Sequence, residues 1–161
     1  ALRAGADKVS INSAALKRPK LITEIANRFG SQCIILSIEA KKQVNSWEAY
    51  YDNGREHSGK DAINWAMYGE ELGAGEILLT SVDQEGTGKG FDTELIKNVT
   101  SKIKIPVISS GGMGELDHLR KAVIEAKSDA IAMANVLHYN KLNISSIRRH
   151  CSNNSIKVRS L

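Results

Sequence analysis

The 161 residues suit a single domain, and a 42% hydrophobic content is enough to build an ordinary globular core. The formal charge of +4 (pI about 9.1) is scattered, with no dense basic run interleaved with aromatics, which argues against nucleic-acid binding and fits an anionic small ligand. Cys33 and Cys151 make neither a disulfide framework nor a metal pattern and suit a reducing, cytoplasmic compartment, and no apolar run approaches the ~18 residues of a membrane span.

Residues 1–6 read as the last turn of a helix, and with no initiator methionine the chain reads as a fragment. Residues 7–12 are a short strand with Asn12 and Ser13 at its C-terminal end. Pro19 opens a helix in which Leu21, Ile22, Ile25, Ala26 and Phe29 recur at helical spacing, and Gly30 stops it. Residues 33–38 are a second buried strand ending on Glu39. Residues 47–51 are β-prone and aromatic, and Asn53 and Gly54 follow them, so a hairpin is expected over the strand ends. A helix over 61–72 turns Ala62, Ile63, Ala66 and Met67 inward. Residues 76–80 form a strand whose continuous run Ile77, Leu78, Leu79 predicts cover on both faces.

The glycine- and acid-rich loop 81–90 leads to Asp92, which caps a helix bearing Leu95, Ile96 and Val99. Residues 105–109 form the next strand and break into Ser110, Gly111, Gly112, Met113 and Gly114. Leu116, Leu119, Ala122, Val123 and Ala126 mark another helix. Residues 130–134 are a fifth strand, 135–139 a short turn, 143–150 a last helix and 152–161 a polar, basic tail. Strand and helix thus alternate, the chemically rich loops all follow strands, and the helix-to-strand links are short. That pattern favours an α/β fold of the (β/α)8 TIM-barrel type over an open sheet. A full barrel needs about 250 residues. Residues 1–161 are therefore expected to be a partial barrel with about five of the eight βα units, running from the fourth strand to the C-terminal helix.

Ser109, Ser110, Gly111 and Gly112 after one strand, with Ala134 and Asn135 after the next, read as an anion cradle or as a tight turn; the loops after the last barrel strands are a recurrent phosphate site. Glu39 ends an apolar strand, either as a general acid or base at the barrel mouth or as a solvated carboxylate. Asp83 and Glu85 either serve the same cleft or line a polar loop. The four histidines have no ligand spacing, so no metal is assigned, and Cys33 reads as core. Lys8 and Glu76 begin strands and so lie on the opposite face, where an exposed ion pair is worth under ~1 kcal/mol.

ADKVSINSAA, FGSQC, GAGEILLTSVDQEGT followed by KGFD, and ISSGGMG stand in the order and spacing of one family. Through them the chain resembles, over nearly all its length, the cyclase subunit of imidazole glycerol phosphate synthase from histidine biosynthesis, a family of ribulose-phosphate-binding barrels. The resemblance implies a heterodimer with a glutaminase whose ammonia passes through the barrel. Ammonia then converts a bisphosphorylated ribulosyl-aminoimidazole carboxamide substrate to imidazole glycerol phosphate and aminoimidazole carboxamide ribotide, with no cofactor. It implies that Gly111, Gly112, Ala134 and Asn135 bind one phosphate with Glu85 and Gly86 beside it. Asn12, Ser13 and Thr80 would line the substrate. Lys8 and Glu76 would belong to the ammonia gate, and Asp7 and Gln32 would face the glutaminase.

Of the family's two catalytic aspartates, one falls at Glu39 and the other in strands preceding this stretch. Asn135 replaces the usual serine and Glu85 the usual aspartate. One extra methylene moves an acid by roughly 1 Å, a displacement that can cost on the order of 100-fold in rate. Two further readings follow: a paralogous ammonia-using subunit that amidates a surface-polysaccharide sugar, and a catalytically silent phosphate-binding barrel. GTGKGFD and SSGGMG look closer to the histidine enzyme, and Lys8 with Glu76 points to ammonia passage, so the cyclase stands first.

Overall fold

A computed structural model describes residues 1–159; Ser160 and Leu161, the end of the basic tail, lie outside the described residues. The strands, in chain order, are β1 (Val9–Ile11), β2 (Ile34–Lys42), β3 (Trp47–Tyr51), β4 (Glu56–Asp61), β5 (Glu76–Ser81), β6 (Val107–Ser110) and β7 (Ala130–Ile131). They form one sheet in the order β4-β3-β2-β5-β6-β7, with β1 also on β2. β1, β2, β5, β6 and β7 are mutually parallel, while β3 and β4 form an antiparallel hairpin. The helices are α1 (Ser13–Lys17), α2 (Lys20–Phe29), α3 (Ala62–Glu71), α4 (Thr93–Thr100), α5 (Leu116–Arg120), α6 (Asn135–His138) and α7 (Ile144–Asn153), with α5 running on into a π-turn over Lys121–Glu125. This is the βα grammar of a (β/α)8 barrel, present as an arc of five parallel strands.

The strands bury alternate residues. Ile34, Leu36, Ile38 and Ala40 of β2, Ile77 and Leu79 of β5 and Val107 of β6 are all essentially inaccessible, and they meet the helices. The residues between them, Ile35, Ser37, Glu39, Leu78, Thr80, Ile108 and Ser110, are half-buried on the inner face. The cover expected on both faces of residues 76–80 is therefore complete only on the helix side. A continuous apolar run cannot reveal this, because it marks two apolar faces without saying what covers either.

Local chemistry explains most boundaries. Asp92 accepts the Leu95 N–H at 3.0 Å as a side-chain cap, and its other oxygen takes the Trp47 indole N–H at 2.8 Å, tying α4 to the hairpin. Asp61 caps α3 through the Asn64 N–H at 2.8 Å. That helix buries Trp65 and Gly69 beside Ala62 and Ala66, while Ile63 and Met67, expected inward, are only partly covered. At Gly69 even a methyl group would collide with the Leu36 side chain, so the small residue lets α3 close on β2. α1 adds a helix ahead of Pro19, and β7 is two residues long where five were expected, since regular pairing with β6 stops at Ile131 and only the Ala132 N–H still bonds the Ser109 carbonyl, at 2.9 Å.

The largest difference is β2. It does not end at Glu39 but continues to Lys42, because Glu39, Ala40, Lys41 and Lys42 pair antiparallel with Tyr50, Ala49, Glu48 and Trp47. The hairpin tip turns through Asp52, Asn53 and Gly54, all with positive φ (53°, 57° and 74°), which those residue types tolerate best.

A polypeptide of only these 161 residues leaves β7 paired on one side, β1 and β4 each on one side, and the inner face partly open. Such edges are templates for association. It is expected to sediment as dimers or larger species at micromolar concentration and to unfold without a sharp transition. A monodisperse monomer with one cooperative unfolding step would contradict this.

Candidate active site at the C-terminal ends of the strands

Register across three parallel strands aligns Glu39 with Thr80 and Thr80 with Ser110. These three side chains share the inner face and form one polar rung at the C-terminal end of the sheet, above rungs that are largely apolar. Ligands in α/β folds bind at this end because the loops there are free of the sheet's packing.

Two adjoining cavities open on the rung. The first, of about 160 Å³, is lined by Gly111, Gly112, Ala134, Asn135, Glu85 and Gly86. Ser110 and Met113 from the β6 loop and Ala132 and Met133 after β7 complete its wall. The second, of about 210 Å³, is lined by Glu39, Thr80, Val82, Asn53, Gly54 and again Glu85. Glu85 thus stands on the partition between them. The backbone enters α6 from Ala134, and Ala134 and Asn135 both line the first cavity.

The glycines work differently from a bare anion cradle. Gly90 donates its N–H to the Gly112 carbonyl at 2.8 Å. A Cβ on Gly112 (φ 104°) would overlap the Gly90 carbonyl, and one on Gly114 would overlap that of Gly88. A Cβ on Gly111 (φ 91°) would lie 2.7 Å from the Ser81 carbonyl oxygen and 3.3 Å from Glu85 Oε2. Glycine at all three is thus required for the β5 and β6 loops to interlock, and the interlock shapes the cavity. Ser109 faces the other way: fully buried, its hydroxyl meets Ser128 Oγ at 2.7 Å behind the sheet. Strand alternation, which put Ser110 on the inner face, gives the signal separating the two serines.

The hairpin tip is fastened to the second cavity by three hydrogen bonds. Gly54 N–H donates to Glu39 Oε2 at 2.7 Å, Asn12 Nδ2 donates to the Tyr50 carbonyl at 3.2 Å, and Asp52 N–H donates to Ser13 Oγ at 3.2 Å. Glu39 Oε1 makes no hydrogen bond among the described residues. Asn12 Oδ1 is buried and unpartnered. Asn12 and Ser13 therefore stand beside Glu39 through the hairpin rather than on the wall of either cavity. Asp83 is turned outward, its Oδ2 accepting the Lys42 N–H at 2.7 Å. Sequence reasoning passed over Asn53 and Gly54 as site residues; the Asn-Gly pair signalled a turn, not where the turn would fold.

On the hairpin itself, Glu48 accepts the Gly59 N–H at 2.8 Å and meets His57 Nδ1 at 3.2 Å, while His57 Nδ1 lies 2.9 Å from the buried Tyr50 hydroxyl. The Gly59 N–H, aided by His57, holds the Glu48 carboxyl below its ordinary pKa, with burial acting in the opposite sense.

Lys8 and Glu76 form an ion pair at the N-terminal ends of β1 and β5, on the face opposite the cavities. Asp7 and Gln32 are exposed on the same face. Among the described residues no group of three His, Cys, Asp or Glu side chains is placed to hold a metal, and no helix is long and apolar enough to cross a membrane.

Parallel βα units with a glycine-walled cavity and a carboxylate at the strands' C-terminal ends place the chain among the (β/α)8-barrel proteins. A family model described as histidine biosynthesis protein matches residues 1–143, and the chain belongs to that family. It is similar to the imidazole glycerol phosphate synthase subunit HisF of Legionella pneumophila, 67% identical over 117 residues that cover 72% of this chain and 55% of the relative. The subunit of the same name from Prochlorococcus marinus (strain NATL1A) is 49% identical over 161 residues, covering 98% and 63%. That of Methanocaldococcus jannaschii is 45% identical over 180 residues, covering 99% and 66%. The chain thus spans between 55% and 66% of the length of these relatives.

The packing of Gly112 dictates how its substitution must behave. Gly112→Val is expected to force the interlocked loops apart at a cost of about 2–4 kcal/mol, combining a left-handed backbone with a steric clash. The thermal midpoint should fall and protease should cut within 86–90, before any ligand is considered. A variant with the parent's midpoint and protease resistance would show that the loops do not interlock in solution.

The Glu48 clamp has a definite pH sign. A carboxyl whose pKa falls on folding contributes stability present above its unfolded pKa and lost as pH drops through the folded one. Exchange of the Gly59 amide should therefore accelerate, beyond its intrinsic pH trend, as pH falls from about 6 to about 3, and Glu48→Gln should abolish that excess. Equal pH dependence in the two proteins would remove Glu48 as the cause.

Proposed function

We propose that the chain supplies the part of a cyclase subunit of imidazole glycerol phosphate synthase that corresponds to the family's fourth strand onward. In this reading it acts in the cytoplasm with a glutaminase subunit. Ammonia released there enters past Lys8 and Glu76, on the face where Asp7 and Gln32 meet the partner. It reacts at the opposite end with a bisphosphorylated ribulosyl-aminoimidazole carboxamide, giving imidazole glycerol phosphate and aminoimidazole carboxamide ribotide. The observation that carries the reading is the junction of the two cavities: a glycine-walled cavity sized for one phosphate group adjoins a cleft holding Glu39 and Thr80.

Each residue then has a physical task. Backbone N–H groups around Gly111, Gly112, Ala134 and Asn135 meet one substrate phosphate, with Glu85 and Gly86 beside it. Thr80 lines the path between phosphate and reacting atoms, while Asn12 and Ser13 hold the hairpin over it. Glu39 transfers the proton through Oε1 while the Gly54 N–H fixes Oε2, so the carboxylate is oriented before substrate arrives. The family's second carboxylate lies in its first strand, so residues 1–161 alone are proposed to be inactive.

In the full-length protein supplied with ammonium, Glu39→Gln should lower turnover by about 100-fold or more, because an amide cannot exchange the proton at neutral pH. KM should change little, since phosphate contacts lie in the other cavity. Glu39→Asp distinguishes the roles: a large loss means the cleft is fitted to glutamate, whereas a gain favours a paralogous amidating subunit whose histidine-pathway activity is residual. Near-parental turnover in Glu39→Gln would make Glu39 a bystander and overturn the mechanism.

A further inference from the structure

The lining of the first cavity contains a single charged side chain, and it is the wrong one for a phosphate: Glu85. Backbone N–H groups carry only partial charge, so a cation nearby would strengthen the hold on a dianion there. The chain provides one just outside the wall. Lys141 Nζ lies 3.3 Å from Asn135 Oδ1. It reaches that position because α6 is a single turn, after which Asn140 takes a left-handed conformation (φ 53°) and folds the chain back. The Lys141 N–H then bonds the Val136 carbonyl at 2.9 Å, anchoring its backbone beneath the cavity, and its ammonium sits 5.9 Å from the centre of the Tyr139 ring.

Resting on the reading of this cavity as a phosphate site, we propose that Lys141 is its anion-positioning residue, orienting the Asn135 amide and supplying the positive charge that the lining lacks. The argument about orientation is one of donors and acceptors. An ammonium has three donors and no acceptor, so it can only bond the amide through oxygen. With Oδ1 held by Lys141, both N–H donors of Asn135 Nδ2 are left over, and Nδ2 makes no hydrogen bond among the described residues. An unanchored amide could as readily present its oxygen, which repels an anion. Lys141 therefore acts twice: through Asn135 as a fixed donor, and through space as a charge on a flexible stem.

The test uses the full-length protein, inorganic phosphate as the probe, and the variants Lys141→Met and Lys141→Arg. Phosphate should compete with substrate in the parent protein. Lys141→Met is expected to weaken phosphate binding by about threefold to tenfold and to raise KM in the same ratio, with kcat changed by less than about twofold. Lys141→Arg should recover most of the loss. The gap between parent and Lys141→Met should narrow as salt rises from about 20 mM to about 500 mM, as a charge effect at partial exposure must. If phosphate competes in the parent but Lys141→Met has the parent's phosphate affinity and KM, the role of Lys141 is overturned and the cavity reading stands. A loss insensitive to salt and carried by kcat overturns it equally, as a folding defect. If the parent turns over substrate and phosphate does not compete, the cavity reading fails and Lys141 with it.

Discussion

β2 carries backbone donors and acceptors along both edges for nine residues, and the rest of the structure follows from how they are paired. β5 satisfies one edge from Ile35 to Ala40. On the other edge β1 reaches only from Ile34 to Leu36. From Glu39 onward the hairpin takes over. A strand this long in a barrel would otherwise project bare amides beyond its neighbour. Pairing them with β3 brings the hairpin tip back across the strand ends, and for that reason a backbone N–H from Gly54 meets the Glu39 carboxylate. The clamp at Asp92 and the bond from Lys42 to Asp83 hold the base of the hairpin to the β5 side. The hairpin is thus one wall of the cleft, held at its base and its tip.

A second constraint operates between the β5 and β6 loops. Both must turn sharply above neighbouring parallel strands, and they do so in contact, with glycine Cα atoms against glycine carbonyls. Close approach of the two backbones leaves no room for a Cβ at Gly111, Gly112 or Gly114 and shapes the cavity wall. The cavity is therefore a consequence of loop packing and not of any one residue aimed at a ligand. Its polarity is finely divided, with Glu85 on one side and the Asn135 and Lys141 pair on the other.

The two ends of the barrel arc differ in kind. At the N-terminal ends the charges are paired and solvent-accessible, Lys8 with Glu76, a contact of small energetic weight. At the C-terminal ends Glu39, Thr80 and Ser110 are half-buried, and Glu39 is met by the Gly54 N–H. Between them the inner face is largely apolar, with Ile35, Leu78 and Ile108 lying on the way from one end to the other.

The sequence by itself determined the alternation of strands and helices, the cap at Asp92, the hairpin turn at Asn53 and Gly54, and the glycine- and acid-rich loops that follow the strands. All of these are written in local signals: periodicity, a capping side chain, residues that tolerate positive φ. It also placed Thr80, Gly111 and Gly112 at the C-terminal ends of their strands, because position along a parallel strand fixes the end of the barrel. Tertiary structure alone decided the rest. That Glu39 lies inside β2, that Gly112 serves the Gly90 loop, that Ser109 turns to Ser128 while Ser110 faces the cavity, and that Lys141 meets Asn135 all depend on partners distant in the chain. Pairing register and loop contact are properties of two segments together, and neither segment encodes them alone.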